Sequence, residues 1–390
     1  MIISIISDMH LGFGSGTERF EDSFSAFEES LEKSRDSDLI LLAGDVFDTK
    51  IPSTETLTKA MVLLTRPLIK ENSIKISEGI DKNLDDVLPI TDAGTPVVAI
   101  HGNHERRVKG TMNPVQALER AGFLVHLNAN SIVLEKNGER VCVHGLSAVP
   151  DQYFETAVKQ WNPKPVEGCI NILMLHQLFS PITFSDLHVN NIPKGFDLYV
   201  SGDLHENKKV DYDGTHLLIP GSTVSTQVNK DAVNLRGFWR IETNGKNLET
   251  KFVELVNQRH VYYVEDGLGN TEDVEKKISE ILSTSHEKKP VIRLNLKEEI
   301  RENEIRNKFE NAIIIFKKEK EELNVKELHE QTLSVQESGM QTLRNNLTKA
   351  GLDSKVFEEI FELLLENKTA EAVSILLESF KLNTGHDPAA

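Results

Sequence analysis

Five short apolar runs within the first 205 residues each end in side chains that bind metals or carry protons. Residues 2–7 lead into Asp8-Met9-His10, residues 39–43 into Gly44-Asp45-Val46-Phe47-Asp48, and residues 97–100 into His101-Gly102-Asn103-His104-Glu105. Residues 172–175 end at His176, and residues 198–201 at Gly202-Asp203-Leu204-His205. Aspartates, histidines and one asparagine offer oxygen and imidazole donors. Such a set suits hard or borderline divalent cations, not a soft thiolate-bound metal. Two cations roughly 3.5–4 Å apart need a ligand that reaches both, best a carboxylate with two oxygens. Asp45 is the candidate for that bridge. The chemistry of such a pair is in-line hydrolysis of phosphate esters.

The elements follow from how these residues must converge. Apolar runs of four to six residues bounded by glycine and polar residues read as strands buried on both faces. In open sheets of such strands, the crevice lies beyond their carboxyl ends. Between the runs, Phe20, Phe24, Phe27 and Leu31 repeat at helical spacing. Pro52-Ser53 opens a second helix to about Thr65, and Asn113-Pro114 opens a third, closed near Gly122. Asn137-Gly138 and Asp213-Gly214 read as hairpin turns. Residues 67–95 are too long for an ordinary helix-to-strand connection and read as an insertion within a first domain, 1–256. From 257 to 320, strand-helix-strand-helix-strand spacing predicts a small α/β domain. Polar, Glu-rich residues 321–337 read as a linker. Residues 338–390 read as amphipathic helices, with Leu343, Leu347, Ile360, Leu364 and Phe380 on the apolar stripe.

A chain of 390 residues with 39% apolar and 27% charged side chains has the composition of an ordinary globular protein. No apolar run approaches the roughly 20 residues that span a bilayer, so no membrane association is expected. Cleaving a leader would remove Asp8 and His10, so no cleaved signal is expected either. Two cysteines, Cys142 and Cys169, make no disulfide framework, which points to a reducing cytoplasm. The net charge of −17 argues against a broad nucleic-acid surface. Residues 261–390 hold 18 lysines and arginines against 26 acids, a net of −8, leaving −9 for residues 1–260. Asp8, Asp45, Asp48 and Asp203 belong to that −9, and two divalent cations would cancel them. Any grip on phosphate is therefore local. Arg106, Arg107 and Lys109, just after Asn103-His104, and Lys208, just after His205, are the expected phosphate contacts.

Ser7-Asp8-Met9-His10, Gly44-Asp45-Val46-Phe47-Asp48, Gly102-Asn103-His104-Glu105-Arg106, Leu175-His176-Gln177, Gly202-Asp203-Leu204-His205 and Pro220-Gly221-Ser222 together resemble the motifs of calcineurin-like metallophosphoesterases. Within that superfamily the chain is similar to the double-strand-break repair nucleases of the meiotic-recombination-eleven and SbcD type. The resemblance implies an α/β fold of four layers, a two-sheet β-sandwich flanked by helices. A small α/β cap domain and C-terminal helices would follow. It also implies that Asp8, His10, Asp45 and His205 hold one cation, and Asp45, Asn103, His176 and Asp203 the other. Two Mn²⁺ are implied, with Mg²⁺ or Fe²⁺ as substitutes. His104 would protonate the leaving oxygen or stabilise the transition state, while Asp48 would orient a water or His104.

Two departures stand out. The family usually has histidine where Asp203 stands, and archaeal and eukaryotic members often have one where Asp48 stands. A carboxylate at 203 adds negative charge and favours Mn²⁺ or Mg²⁺. The implied activity is 3′-to-5′ double-strand exonuclease and single-strand endonuclease cleavage at DNA ends. The resemblance further implies a homodimer, located in the cytoplasm on the nucleoid. The coiled coil of an SMC-like ABC ATPase would dock on the C-terminal helices. Two readings compete: a two-metal phosphomonoesterase of the same superfamily, and a non-catalytic scaffold on that fold. Against the first, no Arg-Gly follows Asp48. Against the second, every ligand position keeps a competent donor.

Overall fold

A computed structural model describes residues 1–318, apart from 88–90, 92, 108–109, 229–234, 246 and 298–299. The expected linker 321–337, the helices expected over 338–390, and Lys109 lie outside the described residues. The chain begins with β1 (Ile2–Ile6), α1 (Phe20–Lys33), β2 (Leu39–Ala43), α2 (Thr54–Leu68), β3 (Lys75–Ile80) and β4 (Val97–Ile100). It continues with α3 (Pro114–Arg120), β5 (Val125–His126), β6 (Asn130–Lys136), β7 (Glu139–Leu146), α4 (Asp151–Trp161) and β8 (Ile170–His176). Then come β9 (Leu198–Gly202), β10 (Lys208–Tyr212), β11 (Thr215–Ile219), β12 (Gly237–Asn244) and β13 (Asn247–Glu254).

These strands form two sheets, ordered β13-β12-β1-β2-β4-β5 and β10-β11-β9-β8-β7-β6-β3. Alternation along each strand decides the layers. Ile3, Ile5, Leu39, Leu41 and Val98 of the first sheet share one core with Val143, Ile172, Met174 and Val200 of the second. Their neighbours Ile6, Ile40, Leu42 and Ala99 face the other way, onto Phe24, Phe27, Leu64 and Leu118 of α1, α2 and α3. On the far side of the second sheet, Leu173, Leu175 and Tyr199 meet Phe154 of α4 and Phe179. Helices, sheet, sheet and helix thus stack as four layers, the central strands of each sheet buried on both faces.

Local signals set several boundaries. Ser53 caps α2, its hydroxyl accepting the Thr56 N–H at 3.1 Å, and Asn113 with Gln116 forms a reciprocal capping box on α3. The β6–β7 turn puts Asn137 and Gly138 at φ 52° and 81°, and the β10–β11 turn puts Asp213 and Gly214 at 52° and 75°. Two consecutive left-handed residues define the type I′ hairpin that Asn-Gly and Asp-Gly favour. Within the expected insertion, β3 pairs antiparallel with β6 as the edge of the second sheet, and Ile74 enters the central core.

Past residue 256, β14 (Val261–Leu268), β15 (Val291–Leu296) and β16 (Ile313–Lys318) make a parallel three-stranded sheet. With α5 (Thr271–Leu282) and α6 (Glu302–Lys308), it buries its own core around Val274, Ile278, Leu294 and Ile305. By contacts, Met1–Glu319 is one compact unit. Glu29 of α1 accepts the N–H groups of Val256 (2.8 Å) and Asn257 (2.9 Å). Arg259 closes a two-pronged pair on Asp22, Nε at 2.7 Å and Nη2 at 2.9 Å. The segment entering the small sheet is therefore clasped to α1.

Candidate metal centre

The ligand-bearing segments meet because their strands run parallel and end together. β1, β2 and β4 lie side by side with Ile6 opposite Leu42 and Ala43 opposite Ile100, and β8 pairs β9 with His176 opposite Gly202. Past the strand ends the loops stay in register. Asp8 N–H donates to Gly44 O at 3.1 Å, His10 N–H to Asp45 O at 3.0 Å, and Leu11 N–H to Val46 O at 2.8 Å. Asp8, His10, Asp45 and Asp203 take left-handed backbone, φ 50°, 45°, 46° and 80°. Non-glycine residues seldom sit there, and such strain concentrates where surrounding structure holds a functional group in place.

Glycine is a steric requirement at two neighbouring positions. A Cβ on Gly44, at φ +95°, would strike the His176 ring, and one on Gly102 would strike the Asp45 carboxylate and N–H. Backbone and side chains here pack without room for a methyl group.

The donors face one another. His10 Nε2 and His205 Nε2 stand 3.0 Å apart. Asp45 Oδ2 lies 3.9 Å from His10 Nε2, 3.5 Å from His176 Nε2 and 3.9 Å from His104 Nε2. His176 Nδ1–H donates to Ala43 O at 2.7 Å, which turns Nε2 toward the carboxylates. Buried His10 Nδ1 and His176 Nε2 have no hydrogen-bond partner. His10 Nδ1 points to Asp48, whereas His176 Nε2 points to Asp45 and Asp203, and a buried ring nitrogen orphaned beside carboxylates is what a cation would satisfy. Three groups of close donors emerge: Asp8-His10-His205, Asp8-Asp45-His176 and His10-Asp48-His104. Asp45 thus stands between histidines of both expected ligand sets, where a bridging ligand belongs, with Oδ1 accepting the His104 N–H at 3.0 Å.

The remaining expected residues are close by. Asn103 Nδ2 donates to Asp203 Oδ1 at 2.9 Å, reserving its amide oxygen for another partner. His104 Nδ1 donates to the Asp48 backbone carbonyl at 2.8 Å, so its Nε2 stays free. The Asp48 carboxylate lies 3.4 Å from His10 Nδ1 and 4.0 Å from His104 Nδ1. Asp48 therefore orients His104 through its main chain and faces His10 with its side chain.

A cavity of about 450 Å³ opens on the cluster, lined in part by Asp45, Asn103, His104, Asp203, His205 and Lys208. Arg236 also lines it and donates from Nη1 to His205 O at 2.7 Å. Arg106 and Arg107 are not part of that lining, and the Arg107 guanidinium instead donates to Met112 O at 3.2 Å.

Charge explains why cations belong here. Burial lifts the Asp8 carboxyl to about 6. Burial also opposes ionisation of Asp45, but His176 and His10 outweigh it and hold that carboxyl below the ordinary range. For His176 burial works against charge, yet Asp45, Asp8 and Asp203 raise it well above the usual histidine value. His205, half-buried and beside His10, drops to about 3 through desolvation first and keeps a lone pair for ligation. Among the described residues, the ion-pair partners of Asp8, Asp45, Asp48 and Asp203 are histidines, which must give up their protons to ligate. Divalent cations would supply the missing positive charge.

Sequence reasoning missed two residues at this site. Arg236 carries no local motif. Glu105 is legible only as the last letter of Gly-Asn-His-Glu, yet it is fully buried and accepts two backbone N–H groups.

Four stacked layers with this cluster at the strand ends define a metal-dependent phosphoesterase architecture. The profile of the calcineurin-like phosphoesterases matches residues 1–207 of the 390, and the chain belongs to that family. It is similar to the double-strand break repair protein MRE11 of Arabidopsis thaliana, 27% identical over 319 residues, covering 70% of this chain and 44% of that protein. The DNA double-strand break repair protein Mre11 of Methanopyrus kandleri is 29% identical over 292 residues, covering 68% and 59% respectively. The double-strand break repair protein MRE11 of Encephalitozoon cuniculi is 30% identical over 246 residues, covering 58% and 43%. The chain spans about half the length of the curated relatives it matches.

Proposed function

We propose that this chain is a DNA nuclease that hydrolyses phosphodiesters at DNA ends with two Mn²⁺ held by Asp8, His10, Asp45, Asn103, His176, Asp203 and His205. The observation that carries the reading is Asp45 Oδ2 standing 3.9 Å from His10 Nε2 and 3.5 Å from His176 Nε2, the latter a buried nitrogen without a hydrogen-bond partner. Similarity to the MRE11 proteins supports DNA as the substrate. When bound, the cations supply Lewis-acid polarisation of a phosphate and lower the pKa of water. His104, fixed through Nδ1 by the Asp48 carbonyl, directs Nε2 toward the same face. There it would stabilise the developing charge or protonate the leaving oxygen. Asp48 holds His10 and His104 in place. Lys208 at the cavity, Arg106 and Arg107 outside its lining, and Lys109, which follows them in the sequence, would contact backbone phosphates.

In this reading residues 1–256 do the chemistry, with 67–95 as an insertion. Residues 257–320 cap the site and shape access for duplex ends and single strands. Residues 338–390, joined by the linker 321–337, dock on the coiled coil of an SMC-like ABC ATPase, and the nuclease works as a homodimer on the nucleoid in the cytoplasm. Among the described residues no helix is long and apolar enough to cross a membrane. Turnover of an end-labelled DNA duplex and of a phosphomonoester, compared in Mn²⁺, tests the reaction. Faster DNA cleavage supports a nuclease; a monoester rate far above it makes the chain a phosphomonoesterase. Co-purification with such an ATPase that survives deletion of 338–390 removes the docking role.

A further inference from the structure

Behind the ligand cluster lies a carboxyl with 0% exposure, Glu105. Its Oε1 accepts the Phe47 N–H at 2.6 Å, and its Oε2 accepts the Gly102 N–H at 2.6 Å. Both donors belong to loops that carry candidate ligands. Phe47 lies between Asp45 and Asp48 at the end of β2, and Gly102 precedes Asn103 and His104 at the end of β4. The two loops also touch directly, since a Cβ on Gly102 would collide with Asp45. Glu105 is therefore the side chain that ties the two ligand loops together from behind. Both oxygens are used as acceptors, which a carboxyl group offers at two positions and an amide at only one.

We propose that Glu105 is a positioning residue of the cation centre: by accepting one N–H from each loop, it keeps Asp45, Asn103 and His104 in ligand register. The proposal rests on the two-cation reading of the site. A glutamine at 105 keeps the length and one acceptor but sets an amide donor against a backbone donor. An aspartate keeps the charge but cannot span both loops. Residues that orient metal ligands without touching the metal typically contribute about 10–100-fold in metal affinity.

The experiment is a thermal-shift titration of the full chain with Mn²⁺ alone, for wild type, Glu105→Gln and Glu105→Asp, with denaturation in chelator run in parallel. Expected is a cooperative transition for each protein in chelator. The Mn²⁺ concentration that gives a fixed rise in Tm above the chelator value should increase about 10–100-fold in Glu105→Gln and less in Glu105→Asp. A Glu105→Gln concentration within about twofold of wild type overturns the proposal, however far stability in chelator falls. Should Glu105→Gln not fold, a Glu105→Asp concentration within about twofold of wild type overturns it instead. A wild-type chain that shows no Mn²⁺ shift overturns the two-cation reading itself, a separate outcome from the failure of Glu105 alone.

Discussion

Substituting Gly44 by alanine separates two causes that the structure places on one residue. Gly44 has φ +95°, and a Cβ there would meet Nδ1, Cγ and Cε1 of His176. That ring is fully buried and donates from Nδ1 to Ala43 O at 2.7 Å. The backbone conformation costs an alanine on the order of 1–3 kcal/mol, and overpacking against the ring about 1–3 kcal/mol more. Displacing the ring loses a hydrogen bond of about 1 kcal/mol. Gly44→Ala should therefore destabilise the fold by about 3–7 kcal/mol, a large share of the roughly 5–15 kcal/mol that holds a typical domain. Gly16 supplies the control: φ +77° with nothing within 4 Å of its Cβ position. Gly16→Ala meets only the backbone cost, so the difference between the two variants, about 2–4 kcal/mol, measures the contact with His176. Urea denaturation in chelator gives both stabilities, and a Mn²⁺ thermal-shift titration reports whether His176 still ligates. A Gly44→Ala protein no less stable than Gly16→Ala, with wild-type Mn²⁺ response, would refute the placement of His176 against the β2 loop.

Further consequences concern the clasp, acid sensitivity and chelation. Arg259→Ala leaves the buried Asp22 carboxylate with Arg19, at 3.3 Å, as its remaining cationic partner, and the loss of the charged hydrogen bonds should be about 1.5–3 kcal/mol in denaturation, with faster proteolysis near residue 256; unchanged stability would show that the clasp holds nothing. Burial lowers His101 to about 4 and also holds His126, beside it at 2.9 Å, well below the ordinary histidine value. Below the ordinary value near 6.5 the unfolded chain binds protons that these folded rings refuse, so their contribution falls as the pH drops from 7 toward 4. Between pH 7 and 5 wild type should lose about 2 kcal/mol more than His101→Gln; equal losses would contradict neutral burial. Saturating Mn²⁺ at about 100 times its dissociation constant adds roughly 2.7 kcal/mol per site, so chelation should lower Tm by several degrees. A Tm indifferent to chelator contradicts cation binding.

Much of this candidate site is legible in the sequence because the candidate ligands follow directly on the runs that become β1, β2, β4, β8 and β9. A run buried on both faces shows in its composition, and the polar residues at its end have few structural reasons to be there. The two hairpins were equally plain, since Asn137-Gly138 and Asp213-Gly214 provide the left-handed pairs their turns need. Other parts depend on distant partners. Helix α4 fully buries only Phe154, and Val158 and Trp161 of its short apolar stripe pack half-buried on the same core, so its eleven residues give a weak signal. The edge strand β3 is mostly exposed and exists through pairing with β6, about 55 residues away. Arg236 reaches the cavity from 31 residues beyond His205, and Glu105 acts on backbone N–H groups that no side-chain pattern reveals. Asp48 touches His104 with a main-chain oxygen, which residue type cannot predict.

Digestion of an end-labelled duplex by the purified chain in Mn²⁺, beside His104→Ala, decides whether this cluster hydrolyses DNA phosphodiesters with His104 in the reaction. Cleavage should require the cation and fall about 10²–10⁴-fold in the variant, with the Mn²⁺ thermal shift retained. Cleavage undiminished in His104→Ala, or none by a wild-type chain that binds Mn²⁺, would contradict this reading.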